Sequence, residues 1–310
     1  MNPDIFYNMI NRRRNIYELA DLFPQNRHDE SHFIHLTKCI HCNNRHLISS
    51  GEGITCGECS STYEIKDNIV NFNPNTIPAV NSKWEELNKK FLRYHKSLTP
   101  FTLLNSAPRY NYLAYKTGLG KVKNARVLDV GGGNGHPLCS FFHYPEKIDY
   151  YLIDPNIRLL HDQYIRVYPK LIELKISHFL GCAEKLPFID NSFDIVICQN
   201  AIDHLQDYHK FISEAHNILK PGGVLFIAGS LEMPNRLSKW LSIGKKLFSF
   251  SLLEKFIWQL YIRRYRAEKD AHTYHFESYQ PIMNAMTQFN FSIAAHEDFF
   301  HYFYVIGAKR

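Results

Sequence analysis

The stretch "VLDVGGGNGH", residues 127–136, decides how the rest of the chain is read. A run of strand character passes through Asp129 and Val130 and meets Gly131, Gly132, Gly133 and, one residue on, Gly135. Glycines clustered where a strand ends let a ligand approach the backbone and let the chain turn with positive φ. A dinucleotide fingerprint requires glycine at its first, third and sixth positions. Gly131 and Gly133 meet the first two, but His136 holds the sixth. A phosphate-binding P-loop ends in Gly-Lys-Ser/Thr, and no such triplet follows. The ligand of this loop has to be inferred from what else reaches the same place.

Working outward, strand and helix signals alternate. Strands are expected at 125–130, 149–154, 176–181, 193–199 and 223–229, and a late hairpin at 291–299 and 302–309. Helices are expected at 83–98, 110–118, 157–168 and 207–220, the last stopped by Pro221-Gly222-Gly223. This order predicts an α/β fold, a doubly wound sheet with an antiparallel edge. Ligands of such sheets sit outside the carboxyl ends of the strands, where the unusual residues of this chain fall.

Asp129 ends the first strand, where a carboxylate can meet a ligand ammonium directly or through water. Asp154 ends the second, in "LIDPN", where a carboxylate can accept from both hydroxyls of a ribose. After the third strand, the backbone amides around Ala183 and Glu184 can meet an adenine edge, and "CQNAIDHL" (198–205) leaves the fourth strand beneath a reacting group. Ammonium, ribose and adenine without a pyrophosphate describe S-adenosylmethionine. That ligand also accounts for the missing third glycine.

"VLDVGGGNG", "LIDPN", "GCAEKLPFIDNSFDIVI", "AIDHLQD" and "ILKPGGVLFI" together resemble the class I S-adenosylmethionine-dependent methyltransferases (methyltransferase type 11-like), over roughly residues 108–310. The resemblance implies a Rossmann-like sheet of seven strands with the last strand antiparallel. It also implies that the cofactor is held by Asp129, Gly131, Gly133, Asp154, Pro155, Cys182, Ala183 and Gln199. One position departs from the pattern. Many members have "GDAE" where this chain has "GCAE", so Cys182 replaces the carboxylate that accepts from the adenine amino group. A thiol is a poor acceptor, so cofactor affinity is expected either to fall modestly or to be restored by Glu184.

Seven cysteines are present, and four form two C-x2-C pairs, Cys39/Cys42 and Cys56/Cys59. In a cytoplasmic chain such pairs argue for metal rather than disulfides, and four thiolates suit tetrahedral zinc. The thirteen residues between the pairs suit a hairpin turning at "SSGEG", and "STYEIKDNIVNF" reads as two further strands around Lys66-Asp67-Asn68. This is a zinc-ribbon pattern with a structural, closed site. His41 and His46 lie close by and are read as surface residues. A ribbon ahead of such a domain resembles the arrangement of ribosomal RNA guanine methyltransferases and of other bacterial methyltransferases. The expected organisation is therefore an N-terminal helical extension at 1–35, the ribbon at 36–75, and the methyltransferase domain at 76–310 with a cap insertion at about 234–269.

Composition bounds the function. Apolar content of 45% and charged content of 21% are ordinary for a soluble protein. Met1 is followed by polar and basic residues without an apolar signal region, and no uncharged apolar run approaches a membrane span, so a cytoplasmic enzyme is expected. Of the net charge of +6, residues 1–110 carry +2, residues 111–230 none and residues 231–310 +4. A neutral centre suits a small-molecule site as readily as a nucleic-acid groove. Residues 234–269 combine nine Lys/Arg with two Glu and six Trp, Phe or Tyr side chains in "WLSIGKKLFSFSLLEKFIWQLY". They are read as a helical lid, with a membrane-lipid surface or an RNA-contacting surface as alternatives.

Methyl transfer from a sulfonium is an in-line displacement that needs positioning and, for a hydroxyl acceptor, a base. His204, with Asp203 beside it, is the candidate base, and a divalent ion at Asp203/His204 is a lesser alternative. His272 and His275, in "AHTYHFES", are candidate substrate contacts, against a reading of this segment as a helix entry capped by Ser278. The expected function is methylation of a small-molecule acceptor, a sugar or secondary metabolite, on oxygen. An RNA base methyltransferase, or a non-catalytic module binding the cofactor or a partner, are the alternatives.

Overall fold

The computed structural model describes residues 34–49, 53–66, 69–73, 121–133, 147–155, 176–231, 273–299 and 302–310. The expected helices at 83–98, 110–118 and 157–168, residues 1–33 of the N-terminal extension, and the whole of 234–269 lie outside the described residues.

Five apolar stretches build the centre: β5 (Ala125–Val130), β6 (Ile148–Asp154), β7 (Ile176–Leu180), β8 (Phe193–Gln199) and β9 (Leu219–Ser230). Their residues are buried almost without alternation, as parallel strands covered on both faces require. They pair in parallel in the order β7-β6-β5-β8-β9. The chain moves outward from β5 through β6 to β7, then returns to β8 on the other side of β5. The order therefore reverses between β5 and β8, the place where open α/β sheets hold ligands.

β10 (Phe291–Phe299) and β11 (Tyr302–Lys309) form the expected hairpin, and β11 lies between β10 and β9, antiparallel to both. Two α-helices among the described residues pack on this frame. In α1 (Tyr208–Ile218), Asp207 caps the start by accepting from the Lys210 N–H at 3.1 Å, and Phe211, Ile212, Ala215 and Ile218 are buried. In α2 (Gln280–Gln288), Pro281 sits in the first turn and Ile282, Ala285 and Met286 are buried. No described helix is long and apolar enough to cross a membrane.

Two features differ from the sequence reading. The helix expected to reach Lys220 stops at Ile218, because Leu219 takes an extended conformation (φ −69°, ψ 140°) and pairs with Phe193, while the terminal Asn217 and Ile218 carbonyls accept from Asn191 and Ser192. Gly222, at φ +75°, then turns the chain. The sheet is also larger than the expected seven strands: eleven are described, in the order β1-β2-β3-β4-β7-β6-β5-β8-β9-β11-β10. The cysteine-bearing segment supplies the additional four, β1 (Leu47–Ser49), β2 (Gly53–Cys56), β3 (Thr62–Lys66) and β4 (Ile69–Asn71).

β1, β2, β3 and β4 run antiparallel to one another in that order, and β4 then pairs in parallel with β7, Val70 opposite Phe179. The Phe72 N–H continues the ladder to the Leu180 carbonyl at 2.7 Å. Phe72 is 1% exposed, with its ring centroid 4.6 Å from Tyr63 and 6.2 Å from Phe179. Lys38 and Ile189 add backbone hydrogen bonds across the same junction, to Pro187 and Leu36. One apolar core therefore runs from the cysteine segment into the central sheet. Truncating Phe72 to alanine should remove about 3–5 kcal/mol from the main urea unfolding transition. A loss confined to a separate early transition would show that the front segment is energetically independent.

Candidate cofactor site and active site

Asp129 closes β5 with its carboxylate 1% exposed. Tyr150, on β6, donates its hydroxyl to Asp129 Oδ2 at 2.7 Å, while Oδ1 is buried without a hydrogen-bond partner among the described residues. The chain then folds over this carboxylate. Gly131 and Gly133 take positive φ, +72° and +54°, which L side chains resist. A Cβ on Gly131 would collide with Ala201, and one on Gly132 with the Asp129 carboxylate itself. By contrast, no atom of the described residues lies within 4 Å of the place a Cβ on Gly133 would occupy. Burial pushes the Asp129 carboxyl up to about 7; the Tyr150 hydrogen bond opposes this and the Asp154 charge adds to it.

Asp154 ends β6 one strand away, and its Oδ2 accepts from the Gly133 N–H at 3.0 Å, tying the glycine loop to the next strand end. Strand alternation puts Tyr150 and Asp154 on one face of β6, so a single strand holds both the carboxylate and the loop. Pro155 follows, and its carbonyl accepts from Asn73 Nδ2 at 3.4 Å. Past β7, the Cys182 thiol faces Asn73 Oδ1 at 3.8 Å. Burial, then the negative charges of Glu184 and Asp154, push that thiol up to about 12. Ala183 is buried beside it. Glu184 does not turn to this place as expected: its Oε1 accepts from the backbone of Gln206 at 2.8 Å and Asp207 at 3.3 Å, so it holds the loop ahead of α1.

Gln199 ends β8, beside β5, and its Oε1 is buried without a hydrogen-bond partner among the described residues. The chain leaves through Asn200, at φ +53°, into a single 3-10 turn, Ile202–His204. Asp203 is buried, and its Oδ1 lies 3.8 Å from His204 Nε2. The Asp203 carbonyl accepts from the backbone N–H groups of Thr273 and Tyr274, at 2.8 and 3.1 Å. The segment singled out for its histidines is thereby docked on the candidate base. Within it His275 is exposed, and His272 lies outside the described residues. Ser278 Oγ accepts from the Gln280 N–H at 3.3 Å where α2 begins, but the N-cap residue is Tyr279, so the segment is a helix entry without Ser278 as its cap.

The four front cysteines converge. Their sulfurs lie within 4.8 Å of one another, with Cys39–Cys59 at 3.4 Å and Cys42–Cys56 at 3.6 Å. Sulfurs bound tetrahedrally to zinc at about 2.3 Å stand about 3.8 Å apart, so the set is close to the size the ion requires. The Ser61 hydroxyl and backbone bring Cys59 down to about 6. His41 and His46 are exposed, outside the sulfur set, as expected. Tyr63 joins this cluster to the core: its hydroxyl lies 3.0 Å from Cys39 Sγ and accepts from the Ile40 N–H at 3.0 Å.

The sequence shows the strand-end carboxylates but not Tyr150, which holds Asp129, or Asn73, which bridges Pro155 and Cys182. The alternation Tyr150, Leu152, Asp154 could have exposed the first. No local pattern marks the second, because its position depends on pairing with a distant strand.

Residues 128–227, from β5 into β9, match the profile of a family described as "Methyltransferase domain". Among curated proteins, a ubiquinone/menaquinone biosynthesis C-methyltransferase UbiE from Dinoroseobacter shibae is 27% identical over 128 residues, covering 41% of this chain and 50% of that protein. The protein of the same name from Pectobacterium carotovorum is 31% identical over 134 residues, covering 43% and 52%. The chain thus spans about half the length of the curated relatives it matches. A solved SAM-dependent methyltransferase from Aquifex aeolicus is 16% identical, covering 68% of this chain and 98% of that one, with a TM-score of 0.40. The matched family and both curated relatives are methyltransferases.

The buried carboxyl of Asp129 gives the site a pH signature. Its folded value, about 7, lies above the ordinary 3.8, so the folded state binds more protons than the unfolded state between those values. Stability from this group is therefore present below about pH 4 and lost as pH rises toward 7. Asp129→Asn, which mimics the protonated form, should match the wild type near pH 4 and exceed it by a few kcal/mol at pH 8 in urea unfolding. An unfolding difference independent of pH would refute the buried-carboxylate description.

Proposed function

We propose that this chain is an S-adenosylmethionine-dependent methyltransferase that acts on a small molecule. The observation that carries the reading is a pair of buried acceptors on adjacent strands, Asp129 Oδ1 and Gln199 Oε1, that find no hydrogen-bond partner among the described residues, near Gly133, whose Cβ position no described atom approaches. A buried acceptor without a donor is costly, and an α-ammonium offers three donors and a charge that suits the Asp129 carboxylate. The matched profile and the names of the curated relatives support the same reading.

The chain's residues divide the work along the sheet edge. Asp129 and Gln199 would hold the amino-acid end, Gly131 and Gly133 would admit it, Asp154 would accept from the ribose, and Pro155, Cys182 and Ala183 would flank the base. Bound there, S-adenosylmethionine supplies a methyl group on a positively charged sulfur, whose bond to the methyl breaks with the electron pair passing to sulfur. His204 takes the acceptor's proton as the new bond forms, and Asp203, 3.8 Å away, favours the imidazolium that results.

The names of the curated relatives specify C-methylation, and none of the relatives reported above supports the sugar or secondary-metabolite oxygen expected from sequence. We therefore take carbon as the receiving atom. An ionised hydroxyl on a conjugated ring passes its charge to neighbouring carbon, and after methylation the hydrogen displaced from that carbon returns as a proton to the ring oxygen, so the same histidine serves. The RNA and membrane readings rest largely on residues 234–269, outside the described residues, and are not carried forward.

The four cysteines are assigned a structural zinc, closed to substrate because all four positions are sulfur. Removing the metal with a chelator should lower the melting temperature of the whole protein, since β4 pairs with the central sheet. A melting curve unchanged by metal loss would show that the cluster binds no stabilising ion.

Calorimetric titration with S-adenosylhomocysteine tests the site. Asp154→Ala should weaken binding about 10- to 100-fold, the loss of one or two charge-assisted hydrogen bonds. His204→Ala should leave that binding intact and slow single-turnover transfer about 100-fold or more. Absence of saturable binding to the folded wild type would favour a non-catalytic module.

A further inference from the structure

We infer that Asn73, carried to the sheet edge by β4, reads the nucleobase of the cofactor, offering the adenine amino group the acceptor that Cys182 lacks. This rests on the proposal that an S-adenosyl group lies along that edge.

Because β4 is parallel to β7, its end falls on the same edge as the ends of β5, β6, β7 and β8. Asn73 stands two residues past β4 and spans the loops after β6 and β7, with Nδ2 donating to the Pro155 carbonyl at 3.4 Å and Oδ1 facing the Cys182 thiol at 3.8 Å. Its backbone is fixed: the Asn73 N–H donates to Asn71 Oδ1 at 3.0 Å, and the preceding Phe72 N–H to Leu180 at 2.7 Å. The side chain is thus anchored at the strand ends assigned to the base.

The chemistry matches. Adenine presents an amino donor beside a ring-nitrogen acceptor, and a carboxamide presents an acceptor and a donor, the pairing that asparagine makes with this base elsewhere. A thiol accepts poorly, and the buried Cys182 is held protonated. The S–H···O contact at 3.8 Å is weak, so exchanging it for an N–H···O bond is favourable. Glu184, the other acceptor nearby in sequence, is occupied by Gln206 and Asp207.

The test uses the full, zinc-loaded chain and two probes, S-adenosylhomocysteine and S-inosylhomocysteine, which carries an oxo group in place of the amino group. The wild type should bind the adenosyl probe at least about tenfold more tightly than the inosyl probe. Asn73→Ala should lose about tenfold in adenosyl affinity, and its preference should fall toward one. Adding Cys182→Asp should restore both. Asn73→Leu, which keeps the volume, gives the same reading if the alanine variant does not fold. Unchanged preference in these variants would overturn the inference while leaving the cofactor proposal standing. A uniform loss for both probes that Cys182→Asp does not rescue would show that Asn73 only props the loops. Failure of the wild type to bind either probe would remove the inference together with the proposal beneath it.

Discussion

Parallel pairing of β5, β6, β7 and β8 is the constraint on which the site depends. Parallel strands end at a common edge, so side chains far apart in sequence arrive there together without any local attraction between them. Asp129, Asp154, Cys182 and Gln199 share nothing but their place at or just past a strand terminus. Within that frame the finer geometry is made by a few polar contacts. Tyr150 holds the Asp129 carboxylate from one side, and the Gly133 N–H draws the loop across to Asp154. The same arrangement leaves acceptors without donors, which lowers the stability of the folded protein but suits it to a cationic ligand.

Much of this frame was legible in the sequence. The strand at 125–130 was placed to the residue, and the late hairpin likewise, because long apolar runs bounded by turn residues leave little ambiguity. Asp129 and Asp154 followed from the expected strand ends at 125–130 and 149–154, and Gln199 from the family resemblance. What escaped was set by partners remote in sequence. β4 is three residues long, too short for a period, and its role as a strand beside β7 is created by pairing with residues 178–180. The helix before β9 ended early because Leu219 is drawn into the sheet opposite Phe193. Glu184 was read as an adenine partner from its place after Cys182, whereas the backbone of Gln206 and Asp207 competes for it successfully.

The cysteine segment is more than an appendage. Tyr63 touches the sulfur cluster with its hydroxyl and Phe72 with its ring, and Phe72 in turn lies against Phe179 of the central sheet. A metal that orders the cysteines would therefore also order β4, and through it the wall of the proposed cofactor site. Small metal-dependent modules gain much of their folding free energy from the ion, and an ion bound here would share that gain with a larger partner.

The β4–β7 pairing has one more consequence. Without it, β7 would present an unpaired ladder beside buried apolar side chains, a template for another molecule's strand and for self-association. With it, the outermost strands among the described residues become β1, only three residues long, and β10, whose outer positions include His296 and Asp298. Brevity at one border and charge at the other are the means by which natural sheets stay apart, so the cysteine-bearing segment also guards the central sheet against edge-to-edge pairing.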